Sequence, residues 1–370
     1  MAAIWHNAQK VIFKANFFVR GGQKMTRDIL SMHIDELRVL ISALGHPSYR
    51  AEQVFEWLHR RGAAFFDAPF DGMENLPKAL RDALKEACHV PPCREAARQT
   101  SKDGTVKFLF DCNGVFIETV WMKYNHGYSV CISTQAGCRM GCVFCASAIG
   151  GLVRNLSAGE MCAQVYAMPE KVSSIVLMGC GEPLDNFDET LRFIELISHE
   201  KGANIGARHI TLSTCGLVPE INALAQRKLQ INLAVSLHGP TDDVRRRFMP
   251  ITNRYPVEEL MEACRAYADT TRRRVTFEYA LASGINDAPA HARQLAKLVK
   301  GMLCHVNLIP INKKSSDKSH FSPTPRVGID AFAAILDEAK IPVTVRRSLG
   351  SDISAACGQL RAQKNVHQPE

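Results

Sequence analysis

No stretch of about 18 or more apolar residues occurs in the 370-residue chain, which excludes a membrane-spanning helix. No apolar segment followed by a small-residue cleavage site opens it, which excludes a secretory signal. Asp and Glu are missing from residues 1–27, where Lys10, Lys14, Arg20, Lys24 and Arg27 sit among Phe13, Phe17 and Phe18. An organellar presequence is acid-poor in this way but richer in Arg and Ser. A disordered extension over 1–32, or upstream codons before a start at Met25 or Met32, fits better. No Gly-x-Gly-x-x-Gly follows the first strand of the later α/β region, which weighs against a dinucleotide-binding sheet. There is no internal repeat and no low-complexity segment.

What is present is an ordinary globular composition, 46% apolar and 22% charged, with length for two or three domains. The 13 cysteines are odd in number and belong to a long chain, so a secreted disulfide framework does not fit. They point to a reduced, cytoplasmic protein in which some thiols bind metal or do chemistry. An excess of 45 Lys and Arg over 37 Asp and Glu gives a net charge of +8, which permits a polyanionic partner.

Residues 33–92 read as a small helical domain. Leu37, Leu40, Ile41 and Leu44 share one face of a helix over 35–44. Val54, Phe55 and Leu58 do so over 49–61, before Gly62, and Leu76-Pro77 opens a third helix through Ala87. Arg50, His59, Arg60, Arg61, Lys78 and Arg81 are expected on the polar faces, as solvated surface or as contacts to RNA phosphates. Two β-like runs, 105–111 and 115–122, meet at Asn113-Gly114, a hairpin signal, within an extension over 99–124. Phe116, Glu118 and Val120 share one face of its second strand, where a lone Glu is ordinarily a surface residue. From residue 125 to 362, strands are expected over 128–133, 173–179, 208–214, 231–237, 274–281, 304–309 and 342–346. Helical patterns such as 188–201, 257–270 and 290–301 separate them. This alternation calls for an α/β fold of parallel βαβ units, open or barrel-like, followed by a tail over 363–370.

Just past the first of these strands comes Gln-Ala-Gly-Cys138-Arg-Met-Gly-Cys142-Val-Phe-Cys145. A structural zinc site takes four protein ligands, commonly in paired C-x2-C units, and bacterial ferredoxins use a four-cysteine run. Three thiols at C-x3-C-x2-C spacing, with Gly137 and Gly141 letting the backbone wrap, suit instead a four-iron cluster with one iron left open. Functional groups in such folds gather at the carboxyl ends of the strands. Gly181-Glu182 follows the second strand, Ser213 ends the third, and Ser236 and His238 end the fourth. Asn312 lies beyond 304–309.

The C-x3-C-x2-C motif with an aromatic residue before its last Cys resembles that of radical S-adenosylmethionine (SAM) enzymes. Further matches are Gly150-Gly151-Leu152, Arg154-Asn155-Leu156, Gly181-Glu182-Pro183-Leu184, Leu212-Ser213-Thr214, Ser236-Leu237-His238 and Asp352–Leu360 with its Ala-Ala-Cys-Gly-Gln-Leu run. Together they are similar to the RlmN/Cfr family, which methylates adenine in RNA, over about residues 33–362. The resemblance implies a partial (β/α)6-type radical SAM barrel with the small helical domain and the hairpin added. It implies a [4Fe-4S] cluster on Cys138, Cys142 and Cys145, and SAM, two per turnover, held by Gly181, Glu182, Ser213, Ser236, Leu237, His238 and Asn312.

Adenine C2 is an electron-poor sp2 carbon that does not attack a methyl sulfonium, so a relay through a protein thiolate is needed. In the resembling family, the cysteine matching Cys357 takes a methyl from one SAM, and a radical from a second SAM removes a hydrogen from it. The carbon radical adds to the base, the glutamate matching Glu118 takes the C2 proton, and the cysteine matching Cys131 releases product as a transient disulfide. Cys180 stands where relatives usually have Met, a departure near the cluster. The implied substrates are 23S rRNA and tRNA, the further partner an electron donor, and the expected state a monomer free of membrane. The C8-methylating Cfr type is the alternative, disfavoured because Pro183 stands where C8 enzymes typically carry Ala. An iron–sulfur or zinc RNA-binding protein without catalysis is the alternative of another class. The basic runs Arg245–Arg247, Arg346-Arg347 and, ranked lower, Arg272–Arg274 are candidate phosphate contacts.

Overall fold

The computed structural model describes residues 26–60, 69–125, 127–311, 321–347, 349–353 and 355. Residues 1–25, Arg61, Gly62, Asn312, Cys357 and the tail 363–370 lie outside the described residues.

Three helices, Ile34–Ala43, Arg50–Arg60 and Lys78–Ala87, form the N-terminal region. The first starts where Glu36 accepts a hydrogen bond from the His33 N–H at 2.8 Å, satisfying a donor that the helix leaves free. The third follows Pro77, whose fixed φ suits a helix start. Each buries the expected apolar stripe, and Leu37, Leu40, Ile41, Val54, Phe55, Leu58, Leu80 and Leu84 enter one continuous core with the rest of the chain. Two-residue strands β1 (Arg27–Asp28) and β2 (Cys88–His89) pair in parallel and close the region. Arg192 reaches Glu36, Lys201 pairs with Glu52, and the Ser157 hydroxyl donates to Asp28, tying this region to the α/β part.

His59 departs from its expected place on a polar face. It is 1% exposed, packed on Phe55 with ring centroids 4.3 Å apart, and its Nδ1 lies 2.8 Å from the Tyr166 hydroxyl. Burial pulls its pKa down to about 3. An unfolded histidine takes its proton near pH 6.5. Between those values the unfolded chain therefore binds more protons, and stability falls as pH falls, by up to ~1.4 kcal/mol per pH unit. Buried His238, also held near 3, adds a second slope of the same sign. His59→Phe is expected to remove one of the two. Urea-unfolding midpoints from pH 7 to 5 should then fall less steeply than in wild type.

The α/β part is built on one ten-stranded sheet. Its antiparallel side is β3 (Arg94–Thr100), β4 (Val106–Cys112) and β5 (Val115–Tyr124), with the β4–β5 turn at Asn113-Gly114, both at positive φ. Next come β6 (Gly127–Cys131), then β9 (Val172–Leu177), β10 (Ile210–Thr214), β11 (Asn232–Ser236), β12 (Val275–Leu281), β13 (Cys304–Pro310) and β14 (Val343–Val345). These seven pair in parallel and in chain order. Each lies within two residues of its expected span. Among the described residues no pairing closes β14 onto β6, because β5 occupies the outer edge of β6. The result is a curved α/β half-barrel extended by the hairpin. A short ribbon, β7 (Gln135–Gly137) against β8 (Leu152–Asn155), branches off after β6. Helices 187–198, 257–271 and 289–299 confirm the expected helical segments to within three residues. Among the described residues no helix is long and apolar enough to cross a membrane.

Candidate active site

Strand alternation gives the sheet two different faces. Ile175, Leu177, Ile210, Leu212, Leu233, Val235, Val275, Phe277, Val306 and Leu308 pack in the main core. Between them Ser174, Val176, Thr211, Ser213, Ser236, His305 and Asn307 stay half-exposed and line the opposite face, which is a groove of small and polar side chains.

The cysteine loop sits at the carboxyl end of β6, on the β7–β8 ribbon. Cys138 donates its N–H to the Gly151 carbonyl at 3.0 Å, and the Cys145 N–H reaches the Cys142 carbonyl at 3.1 Å. Gly137 (φ +76°) and Gly141 (φ +70°) take the left-handed turns that let the loop close. A Cβ on Gly137 would collide with the Gly151 carbonyl oxygen. Gly137→Ala is therefore expected to open the loop, and iron bound per chain after anaerobic reconstitution should fall several-fold with the rest of the fold retained by circular dichroism.

Cys138 is buried while Cys142 and Cys145 are half-exposed. Burial pushes the Cys138 thiol up to about 12 and raises that of Cys142, to which the neighbouring Cys145 and Cys138 add. Three thiolates in one eight-residue loop are stable only around positive charge, which iron would supply. No three His, Cys, Asp or Glu groups among the described residues surround a single metal ion. A four-iron cluster would instead take one thiolate per iron, and Cys138, Cys142 and Cys145 would hold three of its irons. The donor set and the loop fit such a cluster. They do not fit structural zinc, which wants a fourth protein ligand.

Glu182 follows β9 and is 4% exposed. Its carboxylate accepts the Cys215 N–H at 2.7 Å and the Leu184 N–H at 3.1 Å, while its own N–H donates to Gln135. Burial raises its pKa and these N–H donors oppose the rise. Lone pairs remain on both oxygens for a further donor. Gly181 at φ +108° lies against Gln135, where a Cβ would come within 2.8 Å of the Gln135 nitrogen. His238, in the left-handed region at φ +55°, accepts the Ala280 N–H on Nδ1 at 3.0 Å, so the neutral ring carries its proton on Nε2. Phe144, between Cys142 and Cys145, meets the His238 ring edge-on with centroids 4.9 Å apart and joins the cluster loop to β11. Leu237 is fully buried. Its side chain is in the core, its N–H bonds the Glu278 carbonyl at 3.0 Å and its carbonyl accepts from Gly239 at 2.7 Å.

On the hairpin side, Val120 pairs with Cys131 across β5–β6, which puts Glu118, two residues earlier, on the Cys131 face. Glu118 is 6% exposed rather than a surface residue, and Lys107 on β4 meets its carboxylate at 3.1 Å. Val120, Met122, Cys131 and Ala355 form a small apolar cluster of their own, joined by Val176, Met178, Leu349 and Ile353. Ala355 stands two residues before Cys357. Asp352 fixes this segment by accepting from the Ser101 hydroxyl at 2.6 Å and the Lys102 N–H at 3.2 Å. Cys180 is buried, with its N–H donated to Ser133 and its thiol bonded to Ser147 beside the cysteine loop.

The basic runs divide. Arg247, Arg272, Arg274 and Arg347 are exposed, and Arg246 is held by Asp243 and Asn253. Arg346 turns into the groove, 3.8 Å from Glu278 and 3.7 Å from the Met178 sulfur. Arg245 is fully buried, so its expected role as a phosphate contact is withdrawn. Sequence reasoning also missed Lys107, Glu278 and Asn307, which donates to Glu278 at 3.0 Å. A lone Glu in the apolar strand Val-Thr-Phe-Glu278-Tyr-Ala-Leu was the available signal.

A parallel half-barrel carrying a three-cysteine loop at its strand ends defines a radical SAM enzyme, and residues 132–296 match the Radical SAM superfamily. Residues 27–90 match the Ribosomal RNA large subunit methyltransferase N-terminal domain. The chain belongs to the RlmN family of radical SAM RNA methyltransferases, enzymes that use a [4Fe-4S] cluster and SAM. It is 49% identical to the probable dual-specificity RNA methyltransferase RlmN of Geobacillus kaustophilus, over 92% of this chain and 94% of that one. To the protein so named in Desulforamulus reducens it is 51% identical, over 90% and 95%. The crystal structure of a radical SAM methyltransferase from Sphaerobacter thermophilus superposes with a TM-score of 0.85 at 45% identity, covering 91% of this chain and 100% of that one. A binding protein without catalysis is thereby set aside.

Proposed function

We propose that this enzyme methylates C2 of adenine in 23S rRNA and in tRNA, through a methylated Cys357 and a transient Cys131–Cys357 disulfide. The apolar cluster that groups Ala355 with Cys131, on the sheet face that Cys131 shares with Glu118, supports this reading, since Ala355 stands two residues before Cys357 in the sequence. Cys138, Cys142 and Cys145 hold the cluster. Gly181, Glu182, Ser213, Ser236, Leu237, His238 and Asn312 hold SAM, with Glu182 accepting from its amine and the His238 Nε2–H free to donate. Leu237 acts through backbone and packing alone.

When bound, the cluster and SAM supply a 5′-deoxyadenosyl radical able to take a hydrogen atom from a methyl group on the Cys357 sulfur. The S-methylene radical of Cys357 then bonds to C2, Glu118 accepts the C2 proton, and the unpaired electron left on the base would pass to the cluster, which gave one electron to start the radical step. The Cys131 thiolate attacks the Cys357 sulfur. The S–S bond forms, the C–S bond breaks, and its electron pair stays with the new methyl carbon, which is protonated. An electron donor must afterwards reduce that disulfide, which suits a cytoplasmic protein. The helical region 33–92 and the exposed Arg247 and Arg347 serve RNA binding, and the chain acts as a monomer.

Nucleoside mass spectrometry of digested rRNA and tRNA, from cells with and without the gene, is expected to show 2-methyladenosine lost from both. Loss of 8-methyladenosine alone would replace this reading with the C8 chemistry.

A further inference from the structure

Arg245 is 0% exposed and the largest fully buried side chain among the described residues. Its guanidinium stays protonated in any protein interior. Among the described residues its hydrogen bonds go to neutral groups alone: the Thr252 hydroxyl at 2.8 Å, the Cys215 carbonyl at 2.5 Å and, at 3.4 Å, the Ser236 carbonyl. Its Nε has no partner among the described residues, and none of their carboxylates forms an ion pair with it. A buried cation without a paired anion is strongly unfavourable. No carboxylate of the described residues stands at ion-pair distance from it.

The surroundings say where the anion belongs. The Arg245 carbonyl accepts the N–H groups of Phe248 and Met249 at 3.0 and 2.9 Å, and the Phe248 carbonyl accepts that of Val143 at 2.9 Å. Pro250 lies against Gly141. The turn that carries Arg245 is thus bonded to the cysteine loop between its second and third thiols. Cys215, whose carbonyl Arg245 holds, donates its N–H to Glu182. The groups that oppose the effect of burial on the guanidinium are, largest first, the Cys215, Cys142 and Cys264 thiols and then the Asp242 carboxylate, which forms no ion pair with it.

We infer that Arg245 is the countercharge of the iron–sulfur cluster, a positioning residue that raises the cluster's reduction potential. This rests on the proposed cluster at Cys138, Cys142 and Cys145. Three thiolates and four bridging sulfides give that centre negative charge, and one-electron reduction adds more. A fixed positive charge beside it favours the reduced form.

The test uses the full chain, anaerobically reconstituted and free of SAM, as wild type, Arg245→Met and Arg245→Lys. Redox titration followed by electron paramagnetic resonance should place Arg245→Met lower by about tenfold in the reduction equilibrium, ~59 mV for one electron. Arg245→Lys should stay nearer to wild type. An unmoved potential in a fully iron-loaded Arg245→Met protein overturns the inference. So does a shift that appears only after SAM is added, which would assign the anion to the SAM carboxylate. Thermal melting of the iron-free proteins gives a second readout. With its anion gone, wild type should melt no higher than Arg245→Met. If Arg245→Met melts lower or fails to fold without iron, the arginine serves the polypeptide itself and the inference falls. A wild-type chain that takes up no iron would instead refute the cluster assignment.

Discussion

Cys131→Ala enzyme is expected to stall with RNA covalently attached to the protein. In the proposed mechanism nothing in the earlier steps uses this thiol, so Cys357 should still become methylated and its methylene group should still bond to C2. Release alone requires a second sulfur, and the alanine has none. Turnover should fall by at least about 10³-fold, since a missing nucleophile is not replaced by solvent at a buried position. The fold should survive, because Cys131 belongs to the small cluster with Val120, Met122 and Ala355 rather than to the main core, and its loss costs about 1 kcal/mol. A denaturing gel after a single turnover reads the outcome. A slow-migrating protein–RNA band, insensitive to thiols and collapsed by nuclease, is expected from Cys131→Ala and absent from Cys131→Ala/Cys357→Ala. Free methylated RNA from the single variant at a rate near wild type would remove Cys131 from the reaction.

The strands were legible because of this same two-faced construction. A run such as Ile-Thr-Leu-Ser-Thr alternates because Ile210 and Leu212 enter the core while Thr211 and Ser213 line the groove. The cysteine loop was legible because its glycines and thiols are spaced by chemistry local to a few residues. β3 was not, since all seven of its residues are exposed and no apolar alternation marks them. Arg245 was misread for a related reason. It lies in a run of three arginines at the end of a five-residue helix, and charge alone does not say which of the three turns inward. His59 shares a helix with Arg60, and only the Tyr166 hydroxyl from another part of the chain makes its burial tolerable. The Lys107–Glu118 pair joins two strands whose register, Leu109 opposite Glu118, is a property of the folded hairpin. Each of these is decided by tertiary packing, which no local pattern encodes.

That pair bears on the second large effect. Glu118→Gln keeps the shape of the side chain, and the amide oxygen still accepts from the Lys107 ammonium, so the hairpin and its register should be unchanged. What the amide lacks is basicity at the C2 proton. General-base loss of this kind costs about 10²–10⁴-fold, and methyl release from Glu118→Gln is expected to fall within that range. In the proposed sequence methylation of Cys357 precedes the step that needs Glu118, so intact-mass measurement should still find one added methyl group on the protein. Lys107→Met should cost less, since the ammonium only holds the carboxylate in place. If Glu118→Gln releases product within a few-fold of wild type, some other group takes the proton. If it instead fails to methylate Cys357, Glu118 acts before the base is ever engaged. An intact methylated cysteine beside a blocked release is the combination that only a base acting on the RNA-bound intermediate produces.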